Sequence, residues 1–140
     1  MIECVILVGV PGAGKTSLYR QRFEPTHVRI EDKRRLDTAL ASGASVVVDN
    51  TNPRRADRAP LIAAAQARGA RVVGYYFDVT TRAAVARNAV RTGKDKVPNV
   101  AIFTVAKRLE PPTHDEGFDE LYRVTIADDR SLTIEPIDRT

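Results

Sequence analysis

Apolar residues in this chain cluster in short β-rich runs separated by stretches of helical period. Five runs read as strands: Ile2 to Val8, His27 to Ile30, Ser45 to Val48, Arg71 to Phe77 and Leu121 to Ile126. Between them the pattern predicts a helix from Thr16, a second over Lys33 to Ala41 and a third over Pro53 to Arg68, closed by Gly69. Two more are expected near Thr81 to Arg91 and Pro98 to Leu109. Strands that alternate with helices imply crossover connections. The expected fold is therefore α/β, with a parallel sheet of about five strands flanked by helices. The tail from residue 128 has room for an antiparallel edge strand through Leu132 to Ile134. No repeat or linker interrupts the 140 residues, so residues 1–140 are expected to form a single domain.

The first strand runs into Val8-Gly-Val-Pro-Gly-Ala-Gly-Lys-Thr-Ser17, which contains G-x-x-x-x-G-K-[ST] from Gly9 to Thr16. Glycines at this spacing let the backbone curl until successive N–H groups point inward at phosphate oxygens. The helix after the loop adds the positive end of its dipole. Gly12, Ala13, Gly14, Lys15, Thr16 and Ser17 are thus the expected nucleotide-binding residues. Lys15 would reach the β- and γ-phosphates of ATP, and the Thr16 hydroxyl would hold Mg²⁺.

The strand ending at Val48 delivers Asp49 to the edge of the sheet where ligands bind in such folds, which makes Asp49 a second candidate for the Mg²⁺ shell. Asn52 and Pro53 then read as cap and first residue of the third helix. Arg54, Arg55 and Arg58 crowd the start of that helix, where its dipole disfavours cations by about 0.3–1 kcal/mol each. A bound anion, or Asp57 and solvent, would offset that cost.

Hydrophobic residues make up 43% of the chain and charged ones 29%, a globular, soluble balance. Cys4 is the one cysteine, which excludes an intramolecular disulfide and suits a reducing cytoplasm. The start, Met-Ile-Glu-Cys, lacks a basic n-region and reads as a core strand rather than a signal peptide. No run is long enough to span a membrane. The net charge of +4 tolerates a polyanionic partner.

At a finer level, PGAGKTS, VVVDNTNPRRADR, VARNAVRTGKDKVP and EPPTHDEGFDELYRV together resemble the 5′-hydroxyl polynucleotide kinases, in particular the kinase half of the polynucleotide kinase/phosphatases. The resemblance implies transfer of the ATP γ-phosphate to a 5′-hydroxyl end of a nucleic acid. It also implies Asp32 as the base that accepts the hydroxyl proton and Arg35 as an acceptor contact, with Asn52, Arg54 and Arg55 on the acceptor side. Arg87 and Arg91 lie four apart on one helical face, so both can project over the phosphates, and they match the family's lid arginines; Arg91 is expected on the γ-phosphate, with Arg87 in support. Thr92, Gly93, Lys94 and Lys96 would complete a basic lid that ends at Pro98. The family's lead-in to its base is altered here, because Ile30 and Glu31 precede Asp32, and Glu31 and Asp37 stand as alternative acids. Lys15, Asp32 and Arg91 form the expected catalytic set. A kinase for a small polar molecule and an NTP-binding module without an acceptor remain alternatives.

Overall fold

Cys4 to Val8 and Val46 to Val48 carry no polar side chain, and all of these residues are buried to within 1%. Such runs belong in the middle of a parallel sheet covered on both faces. The computed structural model, which describes residues 2–93, 96–127 and 129–139, has them there. Strands β1 (Glu3–Val8), β2 (Val28–Ile30), β3 (Val46–Val48), β4 (Arg71–Phe77), β5 (Glu120–Ile126) and β6 (Leu132–Pro136) form one sheet in the order β2-β3-β1-β4-β5-β6. The first five are parallel, and β6 runs antiparallel along β5, as the tail pattern anticipates.

The helices α1 (Lys15–Leu18), α2 (Leu36–Ala41), α3 (Arg55–Ala67), α4 (Thr81–Ala89) and α5 (Asn99–Arg108) cover the sheet, and α1 continues directly into a π-helical turn, Tyr19–Phe23. Alternate side chains of β1 serve opposite faces. Cys4, Ile6 and Val8 pack with Leu36, Leu40, Leu61 and Ile62. Val5 and Leu7 pack with Leu18, Phe23, Ala84 and Ile102 on the other side. Each fully buried aliphatic side chain contributes about 1.5–3 kcal/mol of transfer free energy.

Three helix ends differ most from expectation, the first being the second helix, whose expected start at Lys33 is a 3-10 turn with the α-helix beginning at Leu36. The sequence pattern predicts a third helix from Pro53 with Asn52 as its cap, but α3 begins at Arg55. Asn52 instead takes a left-handed φ of 44° and is buried, and its amide donates to the Leu7 carbonyl at 2.7 Å. It ties the loop after β3 to the end of β1. The pattern also carries the fourth helix to Arg91, whereas α4 ends at Ala89. There Val90 and Arg91 N–H groups bond to carbonyls three residues back, which tightens the last turn. Buried Asn88 drives this ending, because its side chain bonds the Val97 backbone in both directions and so holds the chain that returns from the loop. Lys94 of the expected basic lid lies outside the described residues.

The arginines at the start of α3 meet carboxylates of the protein itself. Asp57 accepts from the Arg54 backbone N–H and guanidinium, both at 3.1 Å. Arg55 pairs with Asp115 at 3.0 Å. Arg58 is wholly buried, forks onto Glu116 at 2.8 and 3.0 Å, and donates to the carbonyls of Asn52 and Pro53. These pairs offset the dipole penalty without a ligand, and they fasten the loop before β5 to α3. Arg58→Met would leave the Glu116 carboxylate, 4% exposed, without its partner. The expected cost is about 3–5 kcal/mol in urea unfolding, with part of it regained in Arg58→Met/Glu116→Gln. A loss below about 1 kcal/mol would mean the pair does not secure that loop.

Candidate active site

The phosphate loop leaves β1 at Val8 and re-enters helical structure at Lys15. Gly12 and Gly14 sit at φ of 85° and 98°, the left-handed region that other residues rarely adopt. A Cβ on Gly12 would lie 2.8 Å from the Ala84 carbonyl oxygen, so α4 packs against bare backbone there. Gly9 N–H bonds to the Thr51 carbonyl at 3.0 Å and couples the loop to the segment after β3. The amides of the first turn of α1 have no intrahelical acceptor and face the loop's hollow.

Lys15 is 9% exposed, and its ammonium donates to the Gly9 and Val10 carbonyls at 2.8 Å each. Burial pulls its pKa down to about 8; nearby Asp49 opposes the shift and Arg91 adds to it. The Thr16 hydroxyl donates to Asp49 Oδ2 at 3.2 Å, so the register of β1 and β3 brings together two residues thirty-three apart in sequence. A hydroxyl and a carboxylate form a hard-oxygen pair that suits Mg²⁺ when nucleotide phosphates and water supply the remaining ligands.

Three clefts meet here. One, of about 380 Å³, is lined by Gly12, Lys15, Thr16, Asp49, Asn50 and Arg91. A second, of about 500 Å³, is lined by Thr16, Ser17, Arg20, Arg91 and Thr92. The third, of about 850 Å³, opens along β2 and the start of α2, between Asp32, Arg34, Arg35 and Thr38. Glu31 and Arg29 border all three. Arg87 takes a different position, with Ile126 and Arg130 in a separate hollow of about 360 Å³ on the other side of Gly14. Burial lowers the Arg87 pKa, and Arg130 and Arg91 are close enough to lower it further.

The acids next to β2 separate clearly. Asp32 caps the turn Lys33–Arg35 by accepting the Arg34 N–H at 3.0 Å, and the Arg34 side chain grips both of its oxygens. The hydrogen bonds from Arg34 hold its pKa down at about 2. Asp37 faces α3 and pairs with Arg68 at 3.0 Å. Glu31 pairs with Arg29 at 2.8 Å, and its carbonyl accepts from the Asn50 amide. Arg35 lines the cleft of about 850 Å³. Asn52, Arg54 and Arg55 line none of these three clefts: Asn52 bonds to the Leu7 carbonyl, Arg54 pairs with Asp57 and Arg55 with Asp115. Arg29, Asn50 and Asn88 belong to no motif that assigns them a role, and sequence alone did not single them out. The one available signal was an arginine placed within a three-residue edge strand.

The sheet order and the phosphate loop together define a P-loop α/β fold of the kinase type. Residues 25–112 match the AAA domain family, and the chain belongs to it. It is 29% identical over 150 aligned positions to a protein of Acanthamoeba polyphaga mimivirus named as a bifunctional polynucleotide phosphatase/kinase. That alignment takes in 96% of this chain but 36% of the viral protein, so the chain spans about a third of its relative. Among solved structures, a sugar kinase from Janibacter sp. HTCC2649 superposes with a TM-score of 0.68 at 16% identity, covering 89% of this chain and 86% of that one. Kti12 from Chaetomium thermophilum, solved with ADP-AlF3, gives 0.65 at 15% identity and 90% of each chain. These structural similarities concern the fold. Among the described residues, no helix is long and apolar enough to cross a membrane.

Lys15 generates a pH prediction. Its ammonium should regain full charge against the phosphates of ATP, whereas the free protein gives up that proton near pH 8. ATP affinity should therefore be level up to about pH 7.5 and fall above 8, with proton uptake on binding between 8 and 10.5. Calorimetry in buffers of different ionisation enthalpy measures the uptake. Lys15→Met should abolish it, and an unchanged uptake in that variant would assign the proton to another group.

Proposed function

We propose that the protein transfers the γ-phosphate of ATP to the 5′-hydroxyl end of a nucleic acid, with Glu31 as the base. The observation that carries this reading is the position of Glu31 at the junction of the three clefts, beside the phosphate loop and at the mouth of a groove lined by Arg34 and Arg35. Similarity to the viral phosphatase/kinase supports a nucleic-acid acceptor. Arginines along an open groove suit a phosphodiester backbone better than a neutral metabolite.

In this mechanism the loop amides and Lys15 hold the β- and γ-phosphates. Thr16 and Asp49 are the residues that would hold Mg²⁺, which when bound neutralises charge on the β- and γ-oxygens. The acceptor hydroxyl enters through the β2 groove. As its oxygen bonds to the γ-phosphorus and the bond to the β–γ bridging oxygen breaks, Glu31 accepts the proton and ADP departs. Arg91 lies over the phosphates and stabilises charge on the transferring group. Asn50 fixes the Glu31 backbone through its carbonyl. Asp32 is held by Arg34, which donates to both of its oxygens on the rim of the groove.

Single-turnover transfer of labelled γ-phosphate to 5′-hydroxyl DNA and RNA, with nucleosides and a sugar alongside, tests the proposal. Glu31→Gln should lower transfer by about 10²–10⁴ at unchanged ATP affinity, while Asp32→Asn stays within a few-fold of wild type. The reverse ranking would return the role to Asp32. Oligonucleotide KM should rise steeply with salt and flatten in Arg34→Gln/Arg35→Gln. Phosphorylation of the sugar or nucleoside alone would overturn the nucleic-acid assignment.

A further inference from the structure

Arg29 occupies an unexpected place for a side chain of an edge strand. Its Nε lies 2.7 Å from Asp49 Oδ2, and one terminal nitrogen lies 3.2 Å from the Thr16 hydroxyl and 2.8 Å from Glu31 Oε1. The guanidinium thus spans the two oxygens that suit a divalent ion, and the Asp49 side chain it neutralises is only 3% exposed. Behind it stands the Tyr19 ring, with the guanidinium carbon 6.0 Å from the ring centre. Tyr19 is itself fixed in the π-helical turn by a hydrogen bond from its hydroxyl to the His27 carbonyl at 3.0 Å. Arg29 is one-third exposed, so it has open cleft to move into.

A buried carboxylate without a counter-charge is costly, and a guanidinium supplies that charge when no metal is present. A divalent ion seated on Thr16 and Asp49 would be in direct competition with it. We propose that Arg29 is a built-in stand-in for the metal. In the nucleotide-free protein it neutralises Asp49 and keeps divalent ions off the site. It yields the pair when nucleotide brings the metal in, and stays tethered by Glu31 at the entrance of the acceptor groove. Arg29 is then a positioning residue that couples metal entry to nucleotide binding, an inference that rests on the assignment of the metal to Thr16 and Asp49.

The test uses Mn²⁺ binding to the full chain without nucleotide, followed by the electron paramagnetic resonance signal of free Mn²⁺. Wild type should bind very weakly. Arg29→Gln should bind at least tenfold more tightly, and Arg29→Lys, which cannot fork onto two oxygens, should also exceed wild type. In thermal unfolding, added Mg²⁺ should raise the Tm of Arg29→Gln and leave wild type unchanged. Equal Mn²⁺ affinity in wild type and both variants overturns the inference even if transfer remains Mg²⁺-dependent. A gain in Arg29→Gln that survives addition of Asp49→Asn overturns it together with the metal assignment beneath it. A gain lost in that double variant supports both.

Discussion

Parallel pairing of β1 with β3, in which Ile6 lies opposite Val48, fixes the geometry on which the rest of the molecule depends. Both strands are buried on both faces and point the same way, so the phosphate loop and Asp49 emerge side by side at one edge of the sheet. A slip of one residue would turn Ile6 and Val48 to the wrong faces and carry Asp49 away from Thr16. The hydrogen bonds from Gly9 to Thr51 and from Asn52 to Leu7 lock the two loops to one another at the point where they leave the sheet. The apolar core therefore determines the spacing of polar groups that never touch it.

Seven of the arginines form two groups, one in the frame and one around the clefts. Arg54, Arg55 and Arg58 are each matched to carboxylates on α3 or the loop before β5, and Arg58 is buried completely. Their charges are neutralised inside the frame. Arg20, Arg35 and Arg91 line the clefts around the loop and Glu31, and Arg34 does so while paired with Asp32. A basic composition alone does not separate these groups, because both raise the net charge equally. Only the second group gives the surface a field that a phosphorylated ligand can use.

Around Lys15 the protein accepts electrostatic strain in the empty state. Burial pushes its proton off near pH 8, and its ammonium leans on the two carbonyls of its own loop. Arg29 performs the matching service for Asp49 on the other side of Thr16. Positive groups are thus placed in advance at the positions a polyphosphate would demand, and the free protein supplies temporary partners from its own backbone and side chains. Such preorganisation is what phosphoryl transfer draws on, since positioning and charge stabilisation supply most of its acceleration.

Local sequence was enough to settle the alternation of strands and helices, the span of β4 to the residue and the phosphate loop, while the tail strand was one of two possibilities it left open. Those features are written in local period and in glycine spacing, and each depends on a short run of neighbouring residues. Which charges face the site was set at the level of tertiary packing. Asp32 and Glu31 are adjacent carboxylic acids, and nothing local distinguishes them. The distinction comes from Arg34 folding back on Asp32, while Glu31 pairs with Arg29 beside a cleft shared with the phosphate loop. Arg29 on Asp49, Asn52 as a brace and Asn88 as the clamp that ends α4 were likewise invisible, because each depends on a partner brought close by the folded chain. Long-range contacts between polar groups leave no periodic trace in a sequence, since their energy depends on where the core has placed the backbone.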